Sequence, residues 1–371
     1  MIINNVLVYT KDYRFERMNV RIANGVYEKL CTEPVIPENG EDIIDGYHLR
    51  LIPGLTDIHF HGCMGSDLCD GTDEAISVMA GYEKSAGVLN ICPATMTLPT
   101  DRLKKICETA AMHRGGEDEA ELIGINLEGP FISPQKVGAQ NPEYVAAPDA
   151  GALEELLVAA NGMIRLVTIA PEVEGAMECI SRLSGRVHFS VGHTDADYDR
   201  ASESFARGAD HVTHLFNAMP PLHHRNPGVI GAAAERDNVY AEIICDGVHV
   251  HASCVRAAFR LFGSDRIVLI SDSMRACGMP DGDYELGGIP VIKNGRVARQ
   301  QSGTIAGSVT NLYDCMTEAV NMGISAEDAI RAAACNPPAS IGMGDELGII
   351  DEGRRARALL IDSDWKIVRI I

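Results

Sequence analysis

Residues 51–61, LIPGLTDIHFH, constrain this chain more than any other stretch. A short apolar run leads through a Pro-Gly break into two histidines spaced His-x-His. Alternate residues of an extended strand point to one side, so His59 and His61 share a face while Phe60 takes the other. Two imidazoles at the end of a strand that leaves a buried core form half of a metal site. Taken alone, the same pair would equally suit a polar loop. The rest of the chain decides between the two.

From residue 51 the chain alternates short apolar runs with helix-like segments. Eight runs read as strands: 51–58, 88–95, 122–128, 164–170, 187–191, 210–214, 239–245 and 267–272. Segments 72–87 and 100–114 open on Thr followed by an acidic residue, a helix start signal. The second carries Leu103, Ile106, Cys107 and Ala110 on one face. Near-continuous apolar strands alternating eight times with helices predict a parallel (β/α)8 TIM-type barrel. A doubly wound open sheet is the competing architecture, but no G-x-G-x-x-G follows the first strand. The stretch 281–301 breaks the pattern with a hairpin turning at Lys293–Arg296. A helical segment at 325–335 is expected to stop at Asn336–Pro337–Pro338. Residues 1–50 read as short strands with an Asn24–Gly25 hairpin signal, and the tail reads as strands too short to fold alone. The expectation is therefore an α/β chain with two units. A small β-sandwich domain is built from both termini (1–50 plus 346–371), beside a barrel at 51–345.

The 371 residues carry a net charge of −20, which sets the surface against nucleic acid and anionic membranes. No stretch approaches the ~18 apolar residues of a membrane span. MIINNVLVYT lacks the basic and apolar regions of a signal peptide. Eleven cysteines without a C-x-x-C pair speak against a disulfide framework or a zinc ribbon. A cytoplasmic home is the expectation.

In such barrels the chemistry sits where strands end. Those ends supply His59 and His61, Glu128 (NLEGP), His193 (VGHT), His214 (HVTHLFN), Asp246 with His249 (CDGVHV), and Asp272 (ISDS). Each alone has an ordinary explanation, a cap or a solvated loop. Together they are nitrogen and oxygen donors fit for one or two divalent ions. His188 and His211, inside strands, are read as structural. A divalent ion lowers the pKa of bound water to about 7 and polarises a carbonyl. Asp272 beside it can take and return a proton, and His249 can hydrogen-bond the developing oxyanion. That combination means hydrolysis of a C–N or C–O bond. After His214, the run His223–His224–Arg225 is the one basic concentration near a strand end. Arg225, with Asn217, can hold a phosphate.

PGLTDIHFHG, NLEGPF, VGHTDA, HLFNAMPPLHHRNPG, DGVHV and ISDS followed by DGDYELGG together resemble the N-acetylglucosamine-6-phosphate deacetylases of the amidohydrolase superfamily, along essentially the whole chain. The resemblance implies release of acetate from N-acetylglucosamine 6-phosphate, giving glucosamine 6-phosphate, by attack of metal-activated water with Asp272 as acid/base. It implies that Glu128, His193 and His214 hold the main metal and His59 and His61 a second, with Asp272 at the same centre. His249 would contact the acetyl carbonyl. Asn217, Ala218 and Arg225 would bind the sugar phosphate, Arg225 across a homodimer interface. A His/carboxylate site suits Zn²⁺ or Fe²⁺ first, Mn²⁺ or Co²⁺ next. Two departures stand out. Gln140 occupies a position where the family carries histidine; it can bond a sugar hydroxyl but carries no charge. Arg275 follows Asp272 where a small neutral residue is usual, and is expected near the substrate or Asp272.

Three rivals remain open. One is deacetylation of another hexosamine phosphate such as N-acetylgalactosamine 6-phosphate. Another is a different amidohydrolase reaction, disfavoured because strand four ends IAPE without the lysine that many of those enzymes use. The last is a non-catalytic sugar-phosphate-binding protein, against which the full ligand set with Asp272 argues.

Overall fold

The computed structural model describes residues 1–38 and 40–371. Eight parallel strands form its centre: β1 (Leu55–Asp57), β2 (Val88–Ile91), β3 (Ile125–Glu128), β4 (Ile164–Ile169), β5 (His188–Val191), β6 (His211–Val212), β7 (Tyr240–Ile244) and β8 (Ile267–Ile270). Strands adjacent in sequence pair in space. A bridge between Ala94 and Asn126 joins β2 to β3. The Asp272 N–H donates to the His59 carbonyl at 2.9 Å, closing the end of β8 onto that of β1. This is the (β/α)8 barrel that the alternation predicts.

Strands such as Ile267–Ile270 are wholly buried because helices cover the outside and side chains fill the inside. Helix Asp73–Ser85 shows how. Ile76, Met79, Ala80 and Glu83 recur at helical spacing and are buried, and the Thr72 hydroxyl caps the first turn by accepting the Ala75 N–H. Helix Thr100–Met112 buries the expected Leu103, Ile106, Cys107 and Ala110, although its N-cap is Pro99 rather than a threonine.

Two expectations change. Residues 51–58 are not one strand. Arg50–Pro53 pairs with Leu7–Val8 and with Ala358–Ile361 in the terminal sheet, and only Leu55–Asp57 enters the barrel. The break falls at Gly54, where a Cβ would lie 2.4 Å from Leu89 Cδ1, so only glycine lets the chain pass from one sheet to the other. The helix at 325–335 also does not end at the two prolines. It widens into a π-helical turn at Arg331–Cys335 and continues as Asn336–Ser340. The prolines fall in the first turn of that last segment, where a missing N–H is tolerated. Asn336 holds the bend by donating from Nδ2 to the Ser264 and Ile267 carbonyls, 2.7 Å each.

The terminal sheet runs Ile367–Ile370, Ala358–Ile361, Arg50–Pro53, Ile2–Tyr9, Phe15–Ala23, Val26–Cys31, with Ile43–Asp45 also paired to Ile2–Tyr9. Both chain ends thus build one β unit. The turn between Phe15–Ala23 and Val26–Cys31 has φ of 52° at Asn24 and 73° at Gly25, as an Asn-Gly hairpin requires. Alternation then divides the faces. Leu51 and Leu360 join Val6, Val8 and Tyr27 in the unit's own core, while Ile52, Leu359 and Ile361 pack with the barrel. A second small sheet, Gly282–Leu286, Ile289–Asn294 and Val297–Gln300, includes the hairpin expected at Lys293–Arg296.

At the N-terminal ends of β5 and β6, opposite the chemistry, Asp210 accepts from His188 Nδ1 at 2.6 Å and His211 Nδ1 at 2.8 Å. These are direct hydrogen-bond distances. Burial alone would raise the Asp210 carboxyl, but His211 and His188 hold it down at about 2. Because its ordinary value is about 3.9, the carboxylate adds stability above that pH which is lost as pH falls through about 2, roughly 2 kcal/mol in all. Urea unfolding of the parent should therefore weaken between pH about 5 and about 2 by an increment that Asp210→Asn lacks. An identical pH profile in the two proteins would refute it.

Candidate metal centre

The strand ends bring six donors to one point at the C-terminal mouth of the barrel, with Glu128 at the middle. Glu128 Oε1 lies 3.3 Å from His59 Nε2, 3.2 Å from His193 Nε2 and 3.1 Å from His214 Nε2. Its Oε2 lies 3.2 Å from His61 Nε2. Asp272 Oδ1 stands 3.3 Å from His61 Nε2 and 3.8 Å from His59 Nε2. All six are buried. Burial opposes charge on Glu128 and His61, yet the fields of their neighbours prevail. The histidines hold Glu128 well below the usual carboxylate range, and Asp272 and Glu128 push His61 up to about 10.

The outward nitrogen of three imidazoles is already committed. His59 Nδ1 bonds Glu242 Oε2 at 2.8 Å, His61 Nδ1 faces the Ala94 carbonyl at 3.3 Å, and His193 Nδ1 faces the Lys136 carbonyl at 2.9 Å. Those acceptors take an N–H at Nδ1 and leave Nε2 aimed inward, the outer-sphere pattern of metal-ligating histidines. His193 Nε2 and His214 Nε2 are then only 3.0 Å apart. Two ring nitrogens this close, both beside Glu128 Oε1, are placed to share one cation. The donor chemistry fits a divalent cation.

Backbone strain concentrates here. His193, His214 and Asp272 have φ of 46°, 29° and 48°, left-handed values that non-glycine residues adopt rarely and that cost ~1–3 kcal/mol each. Each lies two residues beyond its strand, so the turn swings the side chain inward over the barrel. Glycine serves the same end after β3. Gly129 has φ +77°, and a Cβ there would lie 2.1 Å from Thr97 Oγ1.

Above the donors opens a cavity of 280 Å³. His61, Glu128, Gln140, His193, His214, Asn217, Ala218, His249 and Asp272 line it, together with Leu286 from the small sheet. His59 lies beneath, fully buried. His249 bonds Asp246 Oδ2 through Nδ1 at 2.7 Å and the Ala306 carbonyl through Nε2 at 3.0 Å. Two acceptors favour the imidazolium. Burial works against that charge, but Asp246 raises His249 above its usual range.

Two residues lie elsewhere. Arg225 is exposed on the His223–Asn226 hairpin and faces a separate hollow beside Asp195, Asp197 and Asp199. Arg275 does not approach Asp272. It donates to Asp70 Oδ1 at 2.9 Å and to the Gly65 carbonyl at 3.3 Å, with Glu285 at 3.5 Å, tying the loop after His61 to the small sheet. Its charge is spent on three carboxylates, the third being Asp67 at 4.0 Å. The sequence reading missed Glu242, which sits in an apolar run and projects into the barrel under His59. A lone charge inside VYAEIIC was the available signal, since buried carboxylates occur only with partners.

Barrel and donor set together define a metal-dependent hydrolase. Residues 50–369 match the model of the amidohydrolase family, and the chain belongs to that family. It is 34% identical to the N-acetylglucosamine-6-phosphate deacetylase of Bacillus subtilis over 100% of this chain and 95% of that protein. It is 33% identical to the N-acetylgalactosamine-6-phosphate deacetylase of Escherichia coli over 95% of this chain and 92% of the relative. Among solved structures, the N-acetyl-D-glucosamine-6-phosphate deacetylase of Mycobacterium smegmatis, a mutant in complex with N-acetyl-D-glucosamine-6-phosphate, superposes with a TM-score of 0.92 at 31% identity. That match covers 100% of this chain and 97% of the other.

Proposed function

We infer that the chain is a divalent-metal-dependent deacetylase, hydrolysing N-acetylglucosamine 6-phosphate to glucosamine 6-phosphate and acetate. The observation that carries it is the convergence of four imidazoles and two carboxylates on the floor of a cavity sized for a small ligand. Relatives that match the whole chain bear that activity in their names.

In this reading Glu128, His193 and His214 would hold one ion and His59 and His61 a second, with Asp272 beside the His59/His61 pair. When bound, the cation activates water and polarises the acetyl carbonyl. Asp272, at the cavity wall, takes a proton from the attacking water and delivers it to the departing amine as the C–N bond breaks. His249, charged against Asp246, donates to the carbonyl oxygen in place of Ala306. Asn217, Ala218 and Gln140 contact the sugar. The cavity lining holds no lysine or arginine, so the phosphate needs a cation from outside it. Arg225, facing away from its own cavity, would supply this as part of a homodimer. We assign catalysis to the barrel, 51–345, and read 1–50 with 346–371 as an accessory β unit. Zn²⁺ or Fe²⁺ is the preferred ion, with Mn²⁺ or Co²⁺ as substitutes, and the cytoplasm the proposed location.

The test is metal content of the purified protein together with acetate release from N-acetylglucosamine 6-phosphate. Two ions per chain with turnover is expected. Turnover with one ion would remove the His59/His61 pair from the ligands, and metal without turnover would refute the substrate. The galactosamine epimer, named for the Escherichia coli relative, belongs in the same assay as a competitor. Arg225→Ala should raise KM for the phosphorylated sugar and leave that for the unphosphorylated sugar in place; an unchanged preference would refute the phosphate role.

A further inference from the structure

We propose that Gln140 is a positioning residue for the Glu128 carboxylate, acting on metal affinity rather than on the sugar alone. The inference rests on the ligand assignment above. Gln140 is 3% exposed, and both ends of its amide are engaged. Oε1 accepts the Thr97 N–H at 2.7 Å, and Nε2 donates to Glu128 Oε2. The first bond dictates the orientation, because a backbone N–H can be received only by the amide oxygen. A donor is thereby always aimed at Glu128. That hydrogen bond occupies Oε2, the oxygen that faces His61, and leaves Oε1 to His59, His193 and His214.

The loop carrying Gln140 is itself tied down around the ligands. The Lys136 carbonyl receives His193 Nδ1 at 2.9 Å, and the Ala139 carbonyl receives Gln300 Nε2 at 2.9 Å. The Gln140 N–H closes a turn onto the Val137 carbonyl at 3.0 Å. One short segment therefore orients two ligands of the main ion from the cavity side, just as Glu242 orients His59 from beneath. An outer partner of this kind, when removed, weakens metal binding about 10–100-fold.

The experiment is Co²⁺ titration of chelator-stripped protein, read by the visible d–d absorption, for the parent, Gln140→Leu, Gln140→Glu, Gln140→His and His193→Ala. Kinetic constants are then measured at saturating Co²⁺. Leu removes the donor. Glu keeps an acceptor for Thr97 but sets a second carboxylate against Oε2, and is isosteric should the Leu variant fail to fold. Both should weaken Co²⁺ about 10–100-fold, whatever rise in KM the lost sugar contact adds at saturating Co²⁺. His, which in its neutral form offers one donor and one acceptor, should restore most of the affinity. Parent-like Co²⁺ affinity in the Leu or Glu variant would overturn the proposal, as would a raised KM with affinity unchanged, which would make Gln140 a sugar contact only. Loss of Co²⁺ in His193→Ala separates these outcomes from failure of the site assignment, in which that variant too would bind normally.

Discussion

Glu128→Ala is expected to lose the bound metal and the deacetylase activity together. Glu128 is the one group within 3.3 Å of all four imidazoles, and it carries the negative charge that draws a cation to this point. Without it His193 Nε2 and His214 Nε2 still face each other at 3.0 Å, but no carboxylate remains to hold an ion between them. Losing the metal's charge stabilisation, worth several kcal/mol, reduces turnover by about 10³-fold or more. Metal analysis and acetate release on the same preparation check the result. Stoichiometric metal with full activity would sink the assignment.

Asp272→Asn should separate what Glu128→Ala removes at once. The amide fills the same volume at the end of β8 and keeps an oxygen toward His61, so metal content should stay close to that of the parent. It cannot carry a proton from water to amine. A positioned acid/base is worth about 10²–10⁴-fold, and kcat should fall in that range while the sugar phosphate still binds. A non-catalytic sugar-phosphate-binding protein would have no turnover to lose. Loss of the metal in this variant would recast Asp272 as a ligand first.

Much of this was legible in the chain as written, for a local reason. The ligands are short motifs at strand ends, and a strand end needs only an apolar run followed by Gly, His or Asp to be visible. His59 with His61, Glu128, His193, His214 and Asp272 all lie where the alternation of apolar runs predicts barrel strands to stop, and the structure gathers them within 3.8 Å of a partner. Gly54, by contrast, divides a run that reads as one strand, because the choice of sheet depends on what stands beside it, here Leu89 and Ala358. The prolines at 337 and 338 read as a stop, and only the π-helical turn before them explains why the helix goes on.

Fold class, donor types and the chemistry they allow follow from residue identity and period, and all three are legible in the chain before it folds. Tertiary structure alone decided which partner each side chain keeps. Gln140 turns to Glu128, Glu242 to His59, Arg275 away to Asp70, and Arg225 outside its own cavity. Those contacts join residues dozens to hundreds of positions apart in most cases, and direction in space is a property that no local pattern encodes.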